Sequence, residues 1–222
     1  MLFLHGYLAD KNSFAYQTGY FSRYFSVRAI DLKGFGENQG MEYPYSLSDY
    51  AREVKEYITQ NSLNRPHVIA HSFGARIAVL LASNYPDLFD KIVITGGAGL
   101  KPKRSLKYRL KRLAFRTVKR LFKNAKLERF YSADYLSLNP VMRQSFIKIV
   151  NEHLDDRLSL IQNKTLLIYG KRDKETPLYM AKRFNRGIKN SRLITIENAG
   201  HFPFIDCPYK FNLEVREFLL SE

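Results

Sequence analysis

Ser72 stands where two apolar runs meet, in Arg65-Pro66-His67-Val68-Ile69-Ala70-His71-Ser72-Phe73-Gly74-Ala75-Arg76. The run before it reads as a short strand, and the run after it, to Asn84, has helical spacing. A strand that turns straight into a helix leaves almost no room at the turn, so the positions two before and two after the apex must be small. Here they are Ala70 and Gly74. The apex residue is then strained, with its side chain raised above the sheet. The amide after it, that of Phe73, lies at a helix N-terminus, where donors are unpaired and the dipole is positive. That arrangement exposes a nucleophile and can hold an oxyanion. The plainer alternative is that Ser72 only caps the following helix, as serines often do.

A serine nucleophile needs a base, and the base needs an acid to orient it. Asp173 follows the apolar run Thr165-Leu166-Leu167-Ile168-Tyr169, three residues beyond Gly170. His201 follows the next such run, Leu193-Ile194-Thr195-Ile196. His5-Gly6 closes the first run, Leu2-Phe3-Leu4, and the amide of Tyr7 beyond it is a candidate second oxyanion donor. The chain order Ser, Asp, His is that of a nucleophile raised on a strand-to-helix turn.

Strands are expected at Leu2–Leu4, 26–30, 67–70, 91–95, 165–169 and 192–196. Helices are expected at 46–62, 75–84, 179–185 and 209–220. Ser46 and Asp49 have the spacing of a capping box, and Tyr50, Val54, Tyr57 and Ile58 form an apolar stripe behind it. Short apolar β-branched runs alternating with helices indicate an α/β protein whose parallel sheet is covered on both faces.

These motifs, in this order, closely resemble the α/β-hydrolase family in its small intracellular branch. They are His5-Gly6, D-x-K-G-x-G at 31–36, H-S-F-G at 71–74, G-x-x-D-x-x-x-P at 170–177 and G-H-F-P at 200–203. Ala70 departs mildly from the usual glycine. The resemblance covers nearly the whole chain and implies Ser72 as nucleophile, His201 as base and Asp173 as the acid that orients His201. It implies the amides of Tyr7 and Phe73 as the oxyanion hole. It also implies a core of residues 1–98 and 161–222 and a helical cap at 99–160. The family's two antiparallel N-terminal strands have no counterpart before His5, so about six strands are expected, with the strand at 26–30 as an edge that a second copy could cover. The implied reaction is hydrolysis of a carboxylic ester or related acyl substrate through an acyl-enzyme, with neither cofactor nor metal. A carbon–carbon bond hydrolase or lyase would use the same residues, and a non-catalytic binding protein on this fold is the reading from another class.

The other candidates have plainer readings. His5 is expected to shape its loop, His71 to pack against the site, His67 to lie at the surface, and Asp31 to close a turn. His153 falls in the cap. Glu175, two residues past Asp173, is the nearby rival for the acid. Cys207 has no base of its own and reads as a packing or surface residue.

The chain has 222 residues and a net charge of +15. Most of that charge comes from residues 101–130, with thirteen Lys or Arg against the single Glu128. Leu106, Leu110, Leu113, Thr117 and Leu121 are spaced three or four apart, with cations between them, so 104–123 reads as an amphipathic basic helix. The plain expectation is a cap helix with its charges in water. The sharper one is contact with anionic lipid or an anionic substrate. Nucleic acid is disfavoured, because no stacking platform accompanies the charge. One cysteine, no apolar run of about 18 residues and no basic leader lead to the expectation of a cytoplasmic protein.

Overall fold

A computed structural model describes residues 1–103 and 133–221. Six strands form one sheet: β1 (Leu2–Leu4), β2 (Arg28–Ile30), β3 (Val68–His71), β4 (Ile92–Thr95), β5 (Thr165–Gly170) and β6 (Ser191–Ile196). All pairs are parallel, in the order β2-β1-β3-β4-β5-β6. The chain steps from β1 to one side for β2, then returns to the other side for β3. This reversal opens a crevice beyond the carboxyl ends of β1 and β3, the place where open α/β sheets bind ligands.

The helices are α1 (Ala15–Phe21), α2 (Leu47–Gln60), α3 (Phe73–Asn84), α4 (Ala133–Ser137), α5 (Pro140–Asn151), α6 (Leu178–Gly187), α7 (Pro203–Asp206) and α8 (Pro208–Leu220). The two-residue period of the strands sorts the core into two layers. Leu2, Leu4, Val68, Ala70, Ile92, Ile94, Leu167 and Tyr169 pack with Tyr50 and Val54 of α2 and Ile77 and Leu81 of α3. Phe3, Ile69, Val93, Leu166 and Ile168 face the other way, against Phe14, Phe21, Phe211 and Val215. The four inner strands are buried along their whole length, so they read as continuous apolar runs.

β2 is an edge strand, as expected, but shorter than 26–30, with Arg28 exposed. α3 begins at Phe73 and not at Ala75, because the chain passes from strand to helix within one residue. Four described helices, α1, α4, α5 and α7, had no expected bounds, although α4 and α5 fall in the segment expected as a helical cap. α1 interrupts its apolar positions with Gln17 and Gly19, and the buried Gln17 donates through Nε2 to the Phe204 carbonyl at 2.8 Å and to Asn212 Oδ1 at 3.3 Å. α5 and the four-residue α7 both start on a proline. Residues 133–160, from the segment expected as a cap, supply α4, α5 and a 3-10 turn at Asp155–Leu160 between β4 and β5. The basic helix expected over 104–123 lies outside the described residues. Among the described residues no helix is long and apolar enough to cross a membrane.

α2 shows how local sequence fixes an element. The Ser46 hydroxyl accepts the Asp49 amide, and the Asp49 carboxylate accepts the Ser46 amide at 2.8 Å, which satisfies two donors at the helix start. Ser46→Ala is expected to cost about 1 kcal/mol, read as a lowered urea midpoint at unchanged slope.

Candidate active site

Ser72 sits at the carboxyl end of β3 with φ 47° and ψ −101°, in the region that L-residues avoid. Its amide still donates to the Thr95 carbonyl, which extends the ladder, and its side chain makes no capping bond to α3. The capping alternative for this serine is therefore set aside. The strain persists because the surroundings leave no other path. A Cβ on Gly74 would lie 2.3 Å from the Leu4 carbonyl oxygen, so only glycine lets α3 start this close to β1.

The second wall comes from the loop after β5. A Cβ on Gly170 would stand 2.2 Å or less from the carbonyl oxygens of Ala199 and Gly200, so the Asp173 loop and the His201 loop touch through this glycine. Asp173 Oδ2 then lies 2.9 Å from His201 Nδ1. The carboxylate is otherwise fully occupied. Oδ1 accepts the amides of Glu175 and Thr176 at 2.8 and 2.9 Å, and Oδ2 accepts the Thr176 hydroxyl at 2.7 Å. Burial works against the charge on Asp173, but the bonds from His201 and Thr176 outweigh it and hold the carboxyl at about 2, below its ordinary 3.8. The resulting stability is present above about pH 4 and fades as pH falls towards 2. Wild type should lose about 1 kcal/mol of its advantage over Asp173→Asn between pH 6 and pH 3, measured by urea unfolding at each pH.

Glu175 does not reach Nδ1. Its carboxylate is 3.4 Å from the opposite ring nitrogen, His201 Nε2, and its side chain is largely exposed. The two carboxylates thus lie one on each edge of the imidazole.

His71 and His5 are held by their neighbours. His71 Nε2 lies 2.9 Å from the His201 carbonyl, which can only accept, so Nε2 carries the proton. Burial, with the nearby His201 charge, pushes His71 down to about 3, and it remains neutral. Its Nδ1 is buried without a hydrogen-bond partner among the described residues. His5 Nδ1 faces the Gly6 carbonyl at 2.7 Å, and its Nε2 accepts the Leu32 amide at 3.0 Å. One tautomer satisfies both bonds, and it pins the turn that carries Tyr7. Asp31 closes its turn by accepting the amides of Lys11 and Glu37. His67 lies 3.3 Å from Asp90 at the far end of β3, His153 is exposed, and Cys207 packs half-buried beside α8.

Ser72, His201, Glu175, Thr176, Tyr7 and Phe73 line one cavity of about 330 Å³ beyond β1 and β3, with His71 and Phe202 in its wall. Among the described residues, neither the Tyr7 amide nor the Phe73 amide donates a hydrogen bond. Three further lining residues escaped sequence reasoning. Phe146 and Ile149 belong to α5, which covers the cavity. The Phe146 ring is 5.2 Å from that of Tyr7, and the Tyr7 hydroxyl donates to the Met142 carbonyl. Arg76, one helical turn beyond Ser72, donates through Nη1 to the carbonyls of Ile149 and Glu152 at 2.8 Å each, and so ties α3 to the end of α5. The i,i+4 spacing of Ser72 and Arg76 was the available signal. A larger cleft of about 550 Å³ between α2 and α3 has no histidine among its lining residues.

The chain belongs to the alpha/beta hydrolase family, whose model matches residues 1–212. It is 25% identical over 245 residues to the AB hydrolase superfamily protein YisY of Bacillus subtilis, spanning 98% of this chain and 90% of the relative. It is 25% identical over 220 residues to a 2-hydroxy-6-oxononadienedioate/2-hydroxy-6-oxononatrienedioate hydrolase of Pseudomonas putida, spanning 88% and 77% of the two chains. The fold is also that of an esterase from Exiguobacterium antarcticum, with a TM-score of 0.78, 24% identity and coverage of 99% and 91%. Family membership, with curated relatives named as hydrolases, makes the chain a hydrolase.

Proposed function

We propose that the chain hydrolyses carboxylic esters or closely related acyl substrates through a covalent acyl-enzyme on Ser72. The observation that carries this reading is the strained, uncapped Ser72 sharing a cavity with a histidine whose far nitrogen is bonded to a buried, ionised aspartate. His201 takes the Ser72 proton at Nε2 as Oγ attacks the carbonyl carbon. Asp173 keeps the other proton on Nδ1 and offsets the charge of the imidazolium. The carbonyl oxygen becomes an oxyanion and receives the amides of Tyr7 and Phe73, aided by the N-terminus of α3. His201 then passes its proton to the leaving group, and water, activated by the same nitrogen, releases the acid.

A second reading has a specific source in the Pseudomonas putida relative, whose name is that of a hydrolase of an oxo-dienedioate. The same residues would there release a carbon leaving group in place of an alkoxide. Turnover of short p-nitrophenyl esters, set against a 2-hydroxy-6-oxo-dienoate, separates the two. Ester turnover with acyl-enzyme accumulation supports the first reading, and cleavage of the dienoate alone would replace it. Turnover of neither, with no fluorophosphonate labelling, would overturn both readings.

A further inference from the structure

We propose that Glu175 selects substrates by the charge of the group that leaves, an inference that rests on the ester-hydrolase reading. The Glu175 carboxylate stands 3.4 Å from His201 Nε2 and lines the cavity that holds Ser72. In that reading Nε2 is the atom that hands its proton to the departing oxygen. The leaving oxygen must therefore come within about 3 Å of Nε2. Whatever the leaving group carries then extends past the same carboxylate.

Glu175 is not needed to hold the imidazole, because Asp173 does that from the Nδ1 edge with all its own bonds made. Its backbone is fixed, since its amide is one of the donors to Asp173 Oδ1. Its largely exposed carboxylate thus lines the cavity from an anchored backbone, 3.4 Å from Nε2.

Among the described residues, the other charges around the cavity do not cancel it. Asp173 is buried behind the ring, and His71 is neutral. Arg76 lies deeper, with its guanidinium engaged by the carbonyls of Ile149 and Glu152. Lys174, the neighbouring charge on the loop, is exposed to water. A cation on the leaving group should therefore be favoured and an anion disfavoured. Because Glu175 is mostly exposed, solvent weakens the effect to about three-fold per charge, or about ten-fold between the two signs.

The test is a set of phenyl acetates with a trimethylammonio, a nitro or a carboxylate substituent on the phenol. Each kcat/KM is divided by the rate of hydroxide-promoted hydrolysis of the same ester. Wild type should prefer the cationic over the anionic ester by about ten-fold, and 0.5 M salt should shrink that preference. Glu175→Gln should bring the preference close to one, whereas Glu175→Asp should retain part of it. An unchanged preference in Glu175→Gln, with the esters still turned over and Ser72 still labelled by a fluorophosphonate, would overturn this inference alone. Failure of wild type to turn over any of the esters or to label at Ser72 would overturn the ester-hydrolase reading, and the role of Glu175 with it.

Discussion

Replacing Ser72 with alanine is expected to lower ester turnover by at least about 10³-fold and to abolish labelling by a fluorophosphonate probe. The size follows from what stays behind. The variant keeps the cavity, the amides of Tyr7 and Phe73 and the His201–Asp173 pair, so in the proposed mechanism it should still bind substrate and polarise its carbonyl. It loses only the covalent route, and residual turnover of about 10³–10⁴ over water is what binding and an oxyanion hole supply alone. KM should change little, because Ser72 Oγ contributes its energy in the transition state. The variant should also fold at least as well as wild type. Ser72 makes no side-chain bond to α3, and its positive φ is held by contacts that alanine keeps. Peptide mapping of labelled wild type would locate the nucleophile directly. Label on another serine, with Ser72→Ala still active, would remove Ser72 from the mechanism.

The parts of the fold that were legible are those where one physical demand dominates. β3, β4 and β5 are buried on both faces, and that demand writes continuous apolar runs ending at His71, Thr95 and Gly170. The turn at Ser72 demands small neighbours, and Gly74 is small because Leu4 is against it. Asp173 and His201 were legible as polar residues just past such runs. What could not be read depends on tertiary context. α1 owes its burial to partners almost two hundred positions away, Phe204 and Asn212. α5 covers the cavity through Phe146 and Ile149, and no local pattern announces that they will meet Tyr7 and Arg76. Glu175 is the clearest case. Two residues from Asp173, it was a rival for the same task, yet the turn that lets its amide bond Asp173 sends its carboxylate to the other edge of the imidazole.

Asp173→Asn should cost on the order of 10⁴ in kcat, and the hydrogen bonds around this side chain give the reason. Two backbone amides, those of Glu175 and Thr176, donate to Oδ1. An asparagine in this turn must keep its single oxygen there, because its amide nitrogen would set donor against donor. The NH₂ group therefore takes the place of Oδ2, facing His201 Nδ1. The Thr176 hydroxyl can rotate to accept from it. Nδ1 must then present a lone pair, and the imidazole proton moves to Nε2, the atom that receives the Ser72 proton in the proposed mechanism. The base is present, correctly placed and in the wrong tautomer. The loss should fall on kcat more than on KM, since nothing that touches bound substrate has moved. Glu175→Gln, by contrast, leaves the Nδ1 edge intact and should not approach a loss of this size. Near-wild-type kcat in Asp173→Asn, with the large loss appearing in Glu175→Gln, would reverse the roles of the two acids.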